Sequence, residues 1–270
     1  MSIAFYTGVA GMLASQSHMD VTSNNIANIN TVGYKTQESS FQNLLYTRMN
    51  IHRNYNSSST GTENNAAAED TADNTDDTAT SYDMVGHGVR IGQVNLLYSQ
   101  GGYLSTGRTL DFAINGEGLF AVETASGETQ YTRNGNFSVS IEGKKAYLVT
   151  SDGSHVLTGK GKRISLELDE SGSPITDELA EKIGLYHFSN PYGLTPTDGG
   201  SFTANDISGK AVAAKADNTT STVLQNFLEN SNVELSDQMV NMIQAQRSFQ
   251  MNSRVVQAAD EIDEMINNLR

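Results

Sequence analysis

The 270-residue sequence contains no cysteine. That excludes a disulfide framework, a thiolate nucleophile and any zinc site built on sulfur. It fits an extracellular life that avoids disulfide chemistry as well as a cytosolic one. Basic residues are scarce: 17 Lys and Arg stand against 31 Asp and Glu, for a net charge of −14. Nucleic-acid binding requires a basic footprint, and so does attachment to an anionic membrane surface, so neither is expected. No apolar run reaches the ~18 residues that a membrane-spanning helix needs, so no membrane insertion is expected. The apolar opening MSIAFYTGVAGMLASQ holds no Lys or Arg, and the first basic residue is Lys35. A secretory signal carries a positive start and a cleavage site. This opening is therefore expected to belong to the mature chain. Apolar residues make up 37% and charged residues 18%, both under the usual globular share, so the core is expected to be thin.

The motifs of catalysis and metal binding are also missing. His18, His52, His87, His155 and His187 show no i, i+4 pair and no zinc spacing. His18 is expected at a surface or interface. There is no G-x-S-x-G elbow and no P-loop. GHGVR and NGEGLF contain G-x-G, but both lead into strand-like segments, where a tight turn explains the glycines better than a dinucleotide does. A calcium loop starting at Asp73 would need Gly at its sixth position and Glu at its twelfth; Thr78 and Met84 stand there. No catalytic residue, cofactor or metal site is predicted, and the chain reads as no enzyme.

Hydrophobic periodicity is present at both ends. Phe5, Val9, Met12, Gln16, Met19, Ser23 and Ile26 step by four and three, which predicts a helix over 3–28 with a partly polar seam. Leu235, Met239, Met242, Gln246, Phe249, Ser253 and Val256 repeat the stepping, and Ile262, Ile266 and Leu269 continue the stripe. SNVE, Ser231 to Glu234, fits a capping box that starts this helix. No Gly or Pro interrupts 231–270, so the helix would run roughly 55 Å, too long for one small core. The two ends are expected to pair as a coiled coil.

Between them, short strand-like segments alternate with turns such as NGEG, ASGE and SDGS from about Gly88 to Phe202. That spacing suits an antiparallel sandwich or barrel. The stretch 54–83 differs. It holds seven acidic residues and no basic one, half of the net charge, and reads as a solvated insertion. The fold class is thus α+β: discontinuous N- and C-terminal helices pairing as a coiled coil around a central, mainly antiparallel β domain. The expected divisions are 1–35 (helix and Asn-rich end), 36–87 (connector with the acidic insertion), 88–202 (β domain), 203–230 (return segment) and 231–270 (C-terminal helix).

The end of the first helix, SNNIANINTVGYK, carries four asparagines, although one would stop a helix. Asn24, Asn25, Asn28 and Asn30 can each donate and accept. They read as a polar joint that orients packed subunits, with Ile26 and Ile29 buried on a partner and Gly33 turning the chain. On that reading Asn25→Ala and Asn28→Ala impair assembly more than they destabilise the β domain.

This signature resembles the N-terminal signature of the bacterial flagellar rod and hook proteins. LENSNVELSDQMVNMIQAQRSFQMNSRVVQAADEI resembles that family's C-terminal signature, and GVRIGQV, QGGYLSTGRTLDFAINGEGLFAVET and YTRNGNFSV resemble its central core. The resemblance implies a structural subunit, exported by the flagellar apparatus without a cleaved signal, that polymerises with itself into a helical tube outside the cytoplasmic membrane. It implies contacts with other rod proteins, the hook protein and the export apparatus, and leaves surrounding ring proteins undecided. The single β domain is most similar to distal rod subunits, with proximal rod or hook subunits as alternatives. From a different class, a secreted coiled-coil surface adhesin is the rival, and it would normally carry a cleaved signal. The assembly residues carried over are Asn24, Asn25, Ile26, Ala27, Asn28, Thr31, Gly33, Tyr34 and Lys35 at one end. At the other they are Ser231, Asn232, Val233, Met239, Met242, Gln246, Phe249, Ser253, Val256 and Ile262.

Overall fold

The computed structural model describes residues 3–49, 83–143, 145–167, 179–214 and 221–269. Two long helices occupy the ends: Ile3–Ala27 and Leu235–Asn268. They pack side by side and antiparallel. Gly8 lies against Val256, Gly11 against Asn252, and Asn25 against Gln238. A Cβ on Gly8 would stand 2.8 Å from the Val256 side chain, and one on Gly11 would stand 2.6 Å from that of Asn252. Glycine lets the helices approach closely: a larger residue would press on the Val256 methyl group at one position and push the Asn252 amide aside at the other.

The seam between the helices is therefore made of small and polar residues. Gly8, Gly11, Ser15, Thr22 and Asn25 are buried on the first helix, and Gln238, Ala245 and Ala259 on the last. On the first helix this stripe lies one residue before the predicted one. Phe5, Val9, Met12, Met19 and Ile26 flank it half-buried, while Gln16 and Ser23 are exposed. On the last helix Met242 and Val256 keep their place, but Gln238, Ala245 and Asn252 replace Met239, Gln246 and Ser253. The physical reason is backbone approach: glycine and alanine bring two helices close, and bulky side chains are then pushed to the flanks. The capping box is also corrected. The N-cap is Glu234, three residues after Ser231, and no side chain caps the helix.

The core lies in a ten-stranded sheet whose strand pairs are all antiparallel. Its path runs through 165–166, 145–150, 155–156, 119–123, 129–132, 201–203 and 195–197, and 137–142, 185–187 and 212–213 pair alongside. Strand Leu119–Glu123 shows why it is stable. Phe120 and Val122 point to one core with Phe112, Ile114, Phe137 and Leu148. Leu119 and Ala121 point to another with Tyr131, Leu157, Leu194 and Phe202. The two-residue alternation of a strand thus feeds two cores, one on each face.

The connector is more ordered than its polar sequence suggests. Gln37–Asn43 pairs with Val89–Leu96, and Tyr46–Met49 with Asp83–Gly86, so the segment GVRIGQVNL belongs to an arm outside the central sheet. His18 fastens this arm to the first helix, with Nδ1 2.6 Å from Ser39 Oγ and its ring edge-on to Phe41. The acidic stretch 54–83 lies outside the described residues except for Asp83. Among the described residues no helix is long and apolar enough to cross a membrane.

Candidate functional site

The Asn-rich signature forms the turn by which the chain leaves the first helix. Asn25 is 1% exposed, and all four of its hydrogen-bonding capacities are met within the chain. Its Nδ2 donates to Gln37 O (2.8 Å) and Gln238 Oε1 (3.0 Å). Its Oδ1 accepts from Gln37 N–H (2.9 Å) and the Tyr34 hydroxyl (3.1 Å). One side chain therefore ties the first helix, the arm and the last helix together, leaving no group on Asn25 for a neighbour's backbone. Asn28 donates to Asn24 O and Oδ1 and accepts from Thr31 Oγ1, and Asn24 reaches Tyr34 and Gln37. These bonds are at the surface. Ile26 and Ile29 are half-buried and Ala27 is exposed.

Gly33 has φ +72°, a conformation that suits glycine. A Cβ there would lie 2.8–2.9 Å from the backbone of Arg133 and Asn134. This turn is therefore pressed onto the β domain. Two residues on, Lys35 is 3% exposed. Its Nζ donates to Glu229 Oε1 (2.7 Å) and Ser99 O (2.8 Å). Arg133 Nε donates to the other oxygen, Oε2, at 2.6 Å. The rest of the guanidinium donates to the carbonyls of Gly118, Ile114 and Gly116. Glu229 also accepts from Gly101 N–H through Oε1, and from Gly33 N–H through its backbone carbonyl.

One buried carboxylate thus holds the outgoing chain, the returning chain and the sheet. Burial acts to raise the Glu229 pKa, but Arg133 and Lys35 outweigh it and hold the carboxyl below the ordinary glutamate range. Burial lowers the Lys35 pKa, and Arg133 adds to that, against the pull of Glu229. There is one carboxylate for two cations, and a guanidinium does not give up its proton. The lysine is therefore the member pushed down.

Asn232 completes the joint. Its Oδ1 accepts from Thr36 N–H and Oγ1 (2.7 and 2.8 Å). Its Nδ2 donates to Leu97 O, Ser99 O and Ser99 Oγ. Ser231 Oγ accepts from Val233 N–H, and Val233 is buried. The structure therefore brings Asn25, Tyr34, Lys35 and Asn232 together. It does not bring in Met239, Gln246, Phe249 or Ile262, which stand exposed along the last helix, or Met242, Ser253 and Val256, which are half-buried there.

Sequence reasoning missed Arg133, Glu229 and Ser99. One signal was available: a charged Glu229 follows directly on the apolar strand residues Phe227 and Leu228 in NFLEN, where a lone acid needs a buried partner. We expect Asn25→Ala to cost about 2–3 kcal/mol, because it leaves several buried groups unpaired, and Asn28→Ala under ~1 kcal/mol at the surface. Urea unfolding of both variants checks this; equal losses would place the joint's energy elsewhere.

Comparison with known proteins gives three family matches in chain order. Residues 5–35 match the flagella basal body rod protein model, 113–178 the flagellar hook protein FlgE/F/G D1 domain, and 224–269 the flagellar basal body rod FlgEFG protein C-terminal model. The Bacillus subtilis flagellar basal-body rod protein FlgG is 35% identical, over 99% of this chain and 98% of its own length. The FlgG proteins of Caulobacter vibrioides and Borreliella burgdorferi are 34% and 30% identical, each over at least 99% of both chains. The first and last matches meet in space at the Asn25–Gln238 bond and the Lys35–Glu229 pair, and the chain belongs to the flagellar basal-body rod and hook protein family.

Proposed function

We propose that this chain is a structural subunit of the flagellar rod, most similar to distal rod subunits, located in the basal body outside the cytoplasmic membrane. It polymerises with itself into a helical tube, contacts other rod proteins and the hook protein, and reaches its place through the flagellar export apparatus. It transmits torque and encloses a channel; it carries out no catalysis.

The observation that carries this reading is the inverted use of apolar residues on the helix pair. Small residues fill the seam, while Tyr6, Leu13, Val240, Ile243, Met251 and Val255 are exposed on its flanks. Unpartnered apolar surface along two helices marks an interaction face. Identical neighbours in a tube would cover it, and the finer geometry would then be that of a coiled coil shared between subunits. The joint supports torque transfer, since buried ion pairs and a saturated asparagine fix the angle between helices and sheet. The terminal helices and the central sheet are read as separate units on the same ground, with the expected bounds 88–202 shifted because Val89–Leu96 lies in the arm and Val212–Ala213 in the sheet.

Little apolar area is buried between the helices, so in a free subunit their order should decay away from the joint. Amide exchange is expected to be slow near Thr22–Gln37 and fast near Ile3–Leu13 and Val255–Leu269, and to become slow throughout on polymerisation. Electron microscopy of basal bodies carrying the labelled protein tests the placement. Label on the filament or cell surface and not on the rod would refute it.

A further inference from the structure

A cavity of about 450 Å³ opens where the joint meets the sheet. Its walls include the rings of Tyr98, Phe188 and Tyr192, with Tyr98 and Tyr192 edge to face at 5.6 Å. Lys35 and Arg133 form part of its floor. Two polar atoms in its lining, Tyr98 Oη and His187 Nε2, are buried without a hydrogen-bond partner. Unpaired buried polar atoms are uncommon in folded chains and ask what satisfies them. The cavity sets aromatic rings beside charged and polar side chains in comparable share, so it suits an occupant that is itself part apolar and part polar.

We infer that this cavity receives the end of the C-terminal helix of a second copy of the chain, with Leu269 as the inserted side chain. The inference rests on the polymerisation proposed above and adds to it a specific contact. The occupant must bring apolar bulk and hydrogen-bonding groups. Leu269 is 88% exposed, the most exposed large apolar side chain among the described residues. Ile262, Met265 and Ile266 are exposed just before it. The last carbonyls of a helix lack intrahelical partners, so the helix end also brings hydrogen-bond acceptors.

Charge allows the approach. The helix end carries Asp260, Glu261, Asp263 and Glu264 on a chain of net charge −14. Lys35 and Arg133 line the cavity; Glu117 lines it too and Glu229 sits behind, so it is near neutral instead of acidic. The helix cannot fill its own chain's cavity. It starts beside the joint and extends over 34 residues, about 50 Å away. A contact between two different patches leaves one of each free at the ends of an assembly, so it propagates.

The chain has no cysteine, so an engineered pair reports without interference. Full-length protein carrying Leu269→Cys and Tyr192→Cys, polymerised and then oxidised, should give a ladder of disulfide-linked dimers, trimers and larger species. An equal mixture of the two single variants should stop at the dimer. Leu269→Cys with Ile141→Cys, an exposed position on the sheet, should give no ladder. Leu269→Asp should lose assembly while keeping its β-sheet signal in circular dichroism. If polymers form but the 269–192 pair does not cross-link, the contact is wrong and the polymerisation reading stands. If Leu45→Cys cross-links to Tyr192→Cys instead, the occupant is the arm and the inference is overturned. If the unsubstituted protein stays monomeric under all polymerising conditions, the polymerisation reading fails and takes this contact with it.

Discussion

Glu229→Gln should lower stability by about 3–5 kcal/mol, because it leaves two buried cations with no counter-charge. That is a large share of a typical total of about 5–15 kcal/mol. Lys35→Met should cost much less. It removes the surplus cation, leaves the Arg133–Glu229 pair at 2.6 Å intact, and leaves Ser99 O still bonded to Asn232 Nδ2. A triple variant with Met at 35, 133 and 229 should recover part of the Glu229→Gln loss, since an apolar replacement carries no unpaired charge. Urea unfolding gives the ordering directly through shifts in midpoint at constant slope. A Glu229→Gln loss no larger than that of Lys35→Met would remove the carboxylate from the centre of the joint.

The same carboxylate predicts an acid limit. Its folded pKa lies below its unfolded one, since Arg133 and Lys35 together overcome burial. A depressed carboxyl contributes stability that is present above the unfolded value of ~4.3 and is lost as pH falls through the lower folded value. Unfolding midpoints should therefore drop below about pH 4 in the native chain, and that part of the drop should be missing from Glu229→Gln.

The sequence carried the repeat of the terminal helices and concealed its phase. Four-three stepping is visible because exposed and buried residues recur together on one helix. The phase is hidden because the usual rule places the largest apolar side chains in the seam. Here Gly8 and Gly11 hold the seam, and Met239, Met251 and Ile262 are left on faces that a lone chain does not fill. The arm strand QESSFQN was unreadable for a related reason. Only Ser39 is buried in it, so its alternation carries no hydrophobic signal, and its pairing with Val89–Leu96 comes from backbone bonds. The joint was half legible. The asparagines announced a polar knot, but Arg133 and Glu229 lie roughly a hundred residues or more from Lys35 in the chain. No local pattern records a partner at that separation.

Deleting residues from Ile262 onward should leave the β domain folded and abolish polymerisation. The first half follows from exposure: Ile262, Met265, Ile266 and Leu269 touch neither of the cores. By the register of Gly8 on Val256, this end also extends past the start of the first helix among the described residues. Its removal takes almost no buried area from the monomer, so the thermal midpoint of the sheet should shift by little. The second half follows from what assembly would bury. Four side chains at about 1.5 kcal/mol or more each come to about 6 kcal/mol, roughly four orders of magnitude in association. Sedimentation of the deletion variant should show a monomer at concentrations where the full chain forms long particles. A variant that loses its β signal would instead tie the tail to the monomer's own stability, and one that polymerises normally would assign assembly to the flanks nearer the joint.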